Sequence, residues 1–128
     1  MIAKNGKVLR ILIVDDEVEF AQTLAMRLEL RKFQIGIAHS GRAALDIMAQ
    51  ESYDLMLLDL KIPDIGGLEV VGILRDRGTS ARIIVVSGDG PAGEEQVKLE
   101  APVASYMAKP VELNALLKNI SLLFPDDV

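Results

Sequence analysis

Apolar runs and helix-period segments alternate along this chain from end to end. Five runs are apolar almost without interruption: Val8–Val14 ("VLRILIV"), Phe33–Ala38, Asp54–Leu58, Arg82–Val86 and Val103–Ala108. Continuous rather than alternating apolar character predicts strands covered on both faces. The segments between them repeat at helical spacing. In "EVEFAQTLAMRLELR" the residues Ala21, Leu24, Ala25 and Leu28 share one face. "GRAALDIMAQ" follows the second run, with Ser40 placed to cap it. "GGLEVVGILRDRG" follows the third, and Gly78 is positioned to stop it. "VELNALLKNISLLF" aligns Leu113, Leu116, Leu117, Ile120 and Phe124 on one stripe. "PAGEEQVKLEA", between the fourth and fifth runs, is the weakest helix, with Gly90, Pro91 and Gly93 at its start.

Strands alternating with helices predict a parallel sheet with helices on both faces. For so short a chain, right-handed crossovers leave a doubly wound sheet of five strands and five helices as the natural α/β topology. Ligands of such sheets bind beyond the carboxyl ends of the strands, near the switch in strand order.

Composition narrows the chemistry. The 128 residues fit one domain, and the apolar half of them is enough for a packed core. A net charge of -5 argues against direct nucleic-acid binding, which needs a basic face. There is no cysteine and a single histidine, His39, which excludes thiolate and histidine-rich metal sites and disulfides. The N-terminal run is too short to span a membrane, carries Arg10, and lacks the form of a signal peptide. A cytoplasmic protein without membrane contact is expected.

The polar residues at the ends of the runs carry the chemistry. The first run ends in Asp15, Asp16 and Glu17, the third in Asp59, the fourth in Ser87, and the fifth in Lys109 and Pro110. With the first run central and the third beside it, Asp15, Asp16 and Asp59 meet in one pocket. Two unit charges about 4 Å apart repel by roughly 4 kcal/mol at an effective dielectric near 20. Such a cluster calls for a cation or for protons. Lys109 supplies one positive charge, and all-oxygen ligation suits magnesium. Each residue also has an ordinary structural reading: Asp16 as a helix cap, Asp59 and Ser87 as turn residues, Lys109 as a surface lysine, Tyr106 as packing. His39 reads as a surface turn. Joint placement at adjacent strand ends favours the site.

The stretches "ILIVDDE", "LMLLDLKIPDIGGLEV", "IIVVSG" and "YMAKP" occur in an order that resembles the response-regulator receiver domains of two-component signalling, of the chemotaxis-receiver type. The likeness runs from about Leu9 to Phe124 and rests on the set of motifs. It implies a flavodoxin-like sheet in the order 2-1-3-4-5, and a single receiver domain over 1–128 with its core at about 9–124. Since the chain ends in "FPDDV", no output domain is expected. The resemblance further implies that Asp59 accepts a phosphoryl group from a sensor histidine kinase or histidine phosphotransfer protein. Asp16 and Asp59 would bind magnesium directly, with manganese as a substitute, Asp15 would act through water and Lys61 through its backbone carbonyl. Ser87 and Lys109 would hold phosphoryl oxygens. Ser87 and Tyr106 would move together and switch a surface read by a downstream protein partner. Lys61 and Asp89 would tune the lifetime of the phosphoryl group, and the Lys109–Pro110 bond would be cis. Such a domain catalyses only its own phosphorylation and dephosphorylation.

Other readings fit less well. "GDGPAG", Gly88 to Gly93, matches a dinucleotide fingerprint, yet it lies after the fourth run, and Glu94 and Glu95 would repel a pyrophosphate. A flavin mononucleotide site would need its phosphate loop where "DDE" stands. A dehalogenase-type phosphatase would carry a second aspartate where Lys61 stands. A receiver-like binding module without phosphate turnover is the remaining alternative, beside a small magnesium-dependent phosphatase-like enzyme on the same fold. Two positions depart from the family pattern: Gly88 follows the switch serine where alanine is usual, and Pro102 stands where a glycine usually ends the fourth helix. Proline cannot take the positive φ of such a glycine, so the fourth helix and its exit are expected to be built differently.

Overall fold

The five apolar segments form five parallel strands, and each of the four crossovers carries a helix. The computed structural model describes residues 8–125. The outer ends of the 1–128 span, including the "DDV" of "FPDDV", lie outside the described residues. The order is β1 (Arg10–Val14), α1 (Val18–Glu29), β2 (Gln34–Ala38), α2 (Gly41–Gln50), β3 (Leu55–Asp59), α3 (Gly67–Asp76), β4 (Arg82–Ser87), α4 (Gly90–Glu95), β5 (Val103–Ala108) and α5 (Leu113–Leu123). The sheet runs β2-β1-β3-β4-β5, parallel at every pairing.

Two-residue periodicity divides the strands between two cores. Ile11 and Ile13 of β1, Leu55 and Leu57 of β3, and Ile84 and Val86 of β4 face one side. There they meet Ala21, Leu24, Ala25 and Leu28 of α1 and Leu116 and Ile120 of α5. Leu12, Val14, Met56, Leu58, Ile83 and Val85 face the other side, against Ala44 and Leu45 of α2 and Val70, Val71 and Leu74 of α3. Burial on both faces explains why these strands read as unbroken apolar runs. The helix stripes read from the sequence are the buried faces observed, and Leu113, Leu117 and Phe124 pack at the rim of the first core.

The ends of the helices follow their local chemistry. Ser40 caps α2 by accepting a hydrogen bond from the Ala43 amide at 3.1 Å. Gly78 follows α3 with φ of +72°, and its amide donates to the Arg75 carbonyl. β1 begins at Arg10 rather than Val8, and β3 and β4 each extend one residue further than expected, through Asp59 and Ser87. The polar residue that ends each of these strands is held by the ladder itself.

The fourth helix departs most from expectation. The sequence predicts a weak helix over 91–101; six residues, Gly90–Glu95, are helical. Beyond Gln96 the chain runs irregularly to Pro102, which disfavours a helical Ala101 before it. Arg75 of α3 ties that exit down, donating through Nε to the Ala101 carbonyl at 3.0 Å.

Candidate functional site

Strand register brings the polar ends of the runs together. Val14 pairs with Leu58, Asp59 with Val86, and Ser87 with Ala108, so Asp15, Asp59, Ser87 and Lys109 line one edge of the sheet. Among the described residues the buried polar or charged side chains are Asp15, Asp59 and Ser87. All three therefore lie at the carboxyl edge, where the doubly wound fold places its ligands.

Lys109 Nζ sits among the carboxylates. It lies 2.9 Å from Asp15 Oδ2, 3.1 Å from Asp59 Oδ2 and 2.8 Å from Glu17 Oε1. Its ammonium also stands 4.9 Å from the centre of the Phe20 ring. The other oxygen of Asp59, Oδ1, accepts from the Lys61 amide at 3.1 Å. Asp15 Oδ1 accepts from the Glu17 amide at 2.8 Å, and the Asp15 carbonyl pairs with His39 Nδ1 at 2.9 Å. Asp16 is exposed and lines the same open cleft as Glu17, Asp59, Lys61, Gly88, Asp89 and Lys109. It does not cap α1: the capping position is Glu17, whose side chain makes no cap hydrogen bond.

The electrostatics follow from burial and crowding. Burial pushes the Asp59 carboxyl above its ordinary value, against the pull of the Lys61 amide and Lys109, and the Asp15 charge adds to the rise. Burial alone would lower the Lys109 ammonium, but hydrogen bonds to Glu17, Asp15 and Asp59 outweigh it and hold the group well above the ordinary lysine range. Both partners rise because one ammonium is shared among three carboxylates, too thinly to offset the desolvation of Asp59. Asp15, Glu17 and Asp59 bring carboxylate oxygens within 4.8 Å of one another around that ammonium, Asp16 lines the cleft beside them, and the cleft keeps a negative surplus. A hard divalent cation fits this all-oxygen donor set.

The loop after Asp59 is pinned in place. Asp64 takes φ of +61° and accepts from the Arg42 amide at 3.0 Å, at the start of α2. A Cβ at Gly41 would stand 2.2 Å from the Ile65 carbonyl oxygen, so the loop rests directly on that helix. Across the cleft mouth Lys61 Nζ meets Asp89 Oδ1 at 2.9 Å, the pairing expected from their charges. Ser87 Oγ accepts from the Asp89 amide at 3.1 Å, and Tyr106 Oη donates to the Gly90 carbonyl at 3.0 Å. A Cβ on Gly93 would lie 2.9 Å from both hydroxyl oxygens, so α4 packs between Ser87 and Tyr106 only because that position is glycine. The Lys109–Pro110 peptide is cis, as the resemblance implied, and so is Ala101–Pro102.

The model of the response regulator receiver domain matches residues 11–121. The chain belongs to the response-regulator receiver family. It is 34% identical over 110 residues to the uncharacterized transcriptional regulatory protein YkoG of Bacillus subtilis, covering 86% of this chain and 48% of that protein. It is 33% identical to the response regulator MprA of Mycolicibacterium vanbaalenii over 93% of this chain and 53% of that one. The receiver thus spans about half the length of these curated relatives. Among solved structures, a CheY-like receiver domain from Methanospirillum hungatei superposes with a TM-score of 0.85 at 28% identity, covering 93% of this chain and 95% of that one. TrrA of Thermotoga maritima, in complex with Mg(2+)-BeF, superposes at 0.80 with 29% identity, covering 91% and 99%. Among the described residues of this receiver no helix is long and apolar enough to cross a membrane.

Sequence reading missed three contributors. Glu17 belongs to the "DDE" triplet, yet its acidity alone did not say that it would reach Lys109. His39 is exposed in a turn, as expected, but its ring also binds the Asp15 carbonyl. Gly93 looked like a helix breaker and proves to be a close-approach position.

Proposed function

We propose that Asp59 accepts the phosphoryl group and that this receiver switches on phosphorylation. The observation that carries the reading is the Asp59 carboxylate itself: buried at the end of β3, one oxygen on the Lys61 amide, the other on Lys109, and facing an open cleft. The donor is a phosphohistidine of a sensor kinase or phosphotransfer protein. An Asp59 oxygen attacks phosphorus, the new O–P bond forms as the P–N bond breaks, and the electron pair leaves with the imidazole nitrogen. Lys109 neutralises charge on the transferring group, and the Lys61 amide fixes the orientation of the nucleophile.

Asp16 and Asp59 would hold magnesium directly, Asp15 through water and Lys61 through its carbonyl. Bound there, the ion neutralises phosphoryl oxygens that would otherwise repel the carboxylates. The Ser87 hydroxyl then has a new acceptor, which is the differential contact that favours one state of the α4 region. In this reading the chain is a single receiver domain that catalyses only its own phosphorylation and dephosphorylation. Its output is a surface read by a downstream protein, without contact to nucleic acid, in the cytoplasm.

Incubation with acetyl phosphate and magnesium, followed by intact mass measurement, tests the acceptor. One added phosphoryl group is expected, absent in Asp59→Asn and absent after chelation. Full labelling of Asp59→Asn would remove the assignment, and an unlabelled wild type would leave a binding module without turnover.

A further inference from the structure

An ammonium has three N–H donors, and three carboxylates surround that of Lys109 at hydrogen-bonding distance. A phosphoryl oxygen that binds Lys109 therefore has to displace one of them. The three are not equally easy to displace. The Asp15 side chain is 3% exposed and its second oxygen is held by the Glu17 amide. The Asp59 side chain is 7% exposed and its second oxygen is held by the Lys61 amide. The Glu17 side chain is 64% exposed, so water can replace Lys109 as its partner. Glu17 also stands at the capping position of α1 without capping it, its carboxylate turned to Lys109 instead.

We propose that Glu17 is the displaceable counter-ion of Lys109, occupying in the unphosphorylated receiver the place on the ammonium that a phosphoryl oxygen takes. The proposal rests on Asp59 as the acceptor and adds a positioning residue to that reaction. Glu17 keeps Lys109 poised over the cleft while no phosphoryl group is present, and the incoming group competes with it. The ion pair has to open before Lys109 can bind a phosphoryl oxygen, so Glu17 restrains phosphorylation.

Two substitutions separate this role from simple charge repulsion. Glu17→Gln removes the charge. Glu17→Asp keeps it but is one methylene shorter, and aspartate is a favoured helix cap that turns to the free amides of α1. Both variants release Lys109, and only one of them changes the charge at the cleft mouth. Initial rates of Asp59 labelling by acetyl phosphate with magnesium, over a range of donor concentrations, are compared with beryllofluoride affinity measured by fluorine NMR. Both variants should label about two- to five-fold faster than wild type, the range that an exposed ion pair allows. Beryllofluoride, which takes the phosphoryl position, should bind tighter by a similar factor. Acceleration by Glu17→Gln alone would mean repulsion of the donor and would overturn the proposal. Slower labelling with weaker magnesium binding would make Glu17 a metal ligand and would overturn it equally. A labelled wild type with both variants unchanged refutes the counter-ion alone, whereas an unlabelled wild type refutes the acceptor and the counter-ion together.

Discussion

Lys61 and Asp89 face each other across the cleft mouth, ammonium to carboxylate at 2.9 Å, with the Lys61 side chain 74% exposed. The hydrogen bond and charge of Asp89 raise the Lys61 ammonium above its ordinary value. So exposed a pair contributes little to stability. Its place at the mouth of the cleft that Asp59 also lines points to kinetics instead. Lys61→Ala and Asp89→Ala are each expected to change the rate at which labelled protein loses its phosphoryl group, with the unfolding midpoint nearly unchanged. Mass measurement over time checks this, and an unchanged rate in both variants would sink it. At this scale the sequence was legible where a residue's position follows from the end of a strand. Asp59, Ser87 and Lys109 stand where the apolar runs said they would. It was not legible where the role depends on the reach of a flexible side chain: nothing in "DDE" says that Glu17 leaves its helix to pair with a lysine 92 residues away.

At the scale of elements, the strands and four of the helices were legible because burial imposes a period that the sequence displays. α4 was not, since it has almost nothing to bury. Apart from half-buried Val97, the residues from Pro91 to Glu100 are exposed except Gly93, which has no side chain. Glycine costs about 1 kcal/mol relative to alanine inside a helix, and the turn from Gly88 to Gly93 contains three glycines. This segment is held instead by the hydroxyls beneath it, through the Ser87 Oγ bond to the Asp89 amide and the Tyr106 Oη bond to the Gly90 carbonyl. A phosphoryl oxygen on Asp59 would accept from the Ser87 hydroxyl, which can still accept from the Asp89 amide, and so would tie the start of this segment to the cleft. Gly88–Ala101 is therefore expected to be the least protected part of the unphosphorylated domain, and to gain protection when beryllofluoride and magnesium bind. Amide hydrogen exchange reads this directly. Protection equal to that of α1 in the free protein, or no change on adding the mimic, would reduce the segment to a loop that is merely long.

The whole molecule carries the charge of its cleft as a stability term. The Asp59 carboxyl is raised above its ordinary value, chiefly by burial. A group raised in the folded state contributes stability that is fully present below its unfolded pKa and is lost as pH rises through the folded value. On account of Asp59, the metal-free receiver thus loses stability as pH climbs from the ordinary aspartate pKa of about 3.9 through that raised value. Lys109 has the same sign in a different window: its contribution is whole at neutral pH and disappears only in strong alkali, above the ordinary lysine range. Two substitutions should consequently move the metal-free fold in opposite directions at pH 7. Asp59→Asn keeps the shape, offers its amide oxygen to Lys109 and removes a desolvated charge, so its unfolding free energy in urea titration should rise by on the order of 1 kcal/mol. Lys109→Ala leaves Asp15 and Asp59 buried without an ammonium and should lose about 1–3 kcal/mol, less than a fully buried pair because Glu17 stands in water. The gap between wild type and Asp59→Asn should close as pH falls below the unfolded aspartate pKa, where the carboxyl is neutral in both states. Saturating magnesium should close it from the other side, since the wild type binds the cation with one carboxylate more. A metal-free Asp59→Asn less stable than wild type at pH 7 would mean that the Lys109 ion pair outweighs the desolvation of Asp59, the reverse of the balance argued from its burial.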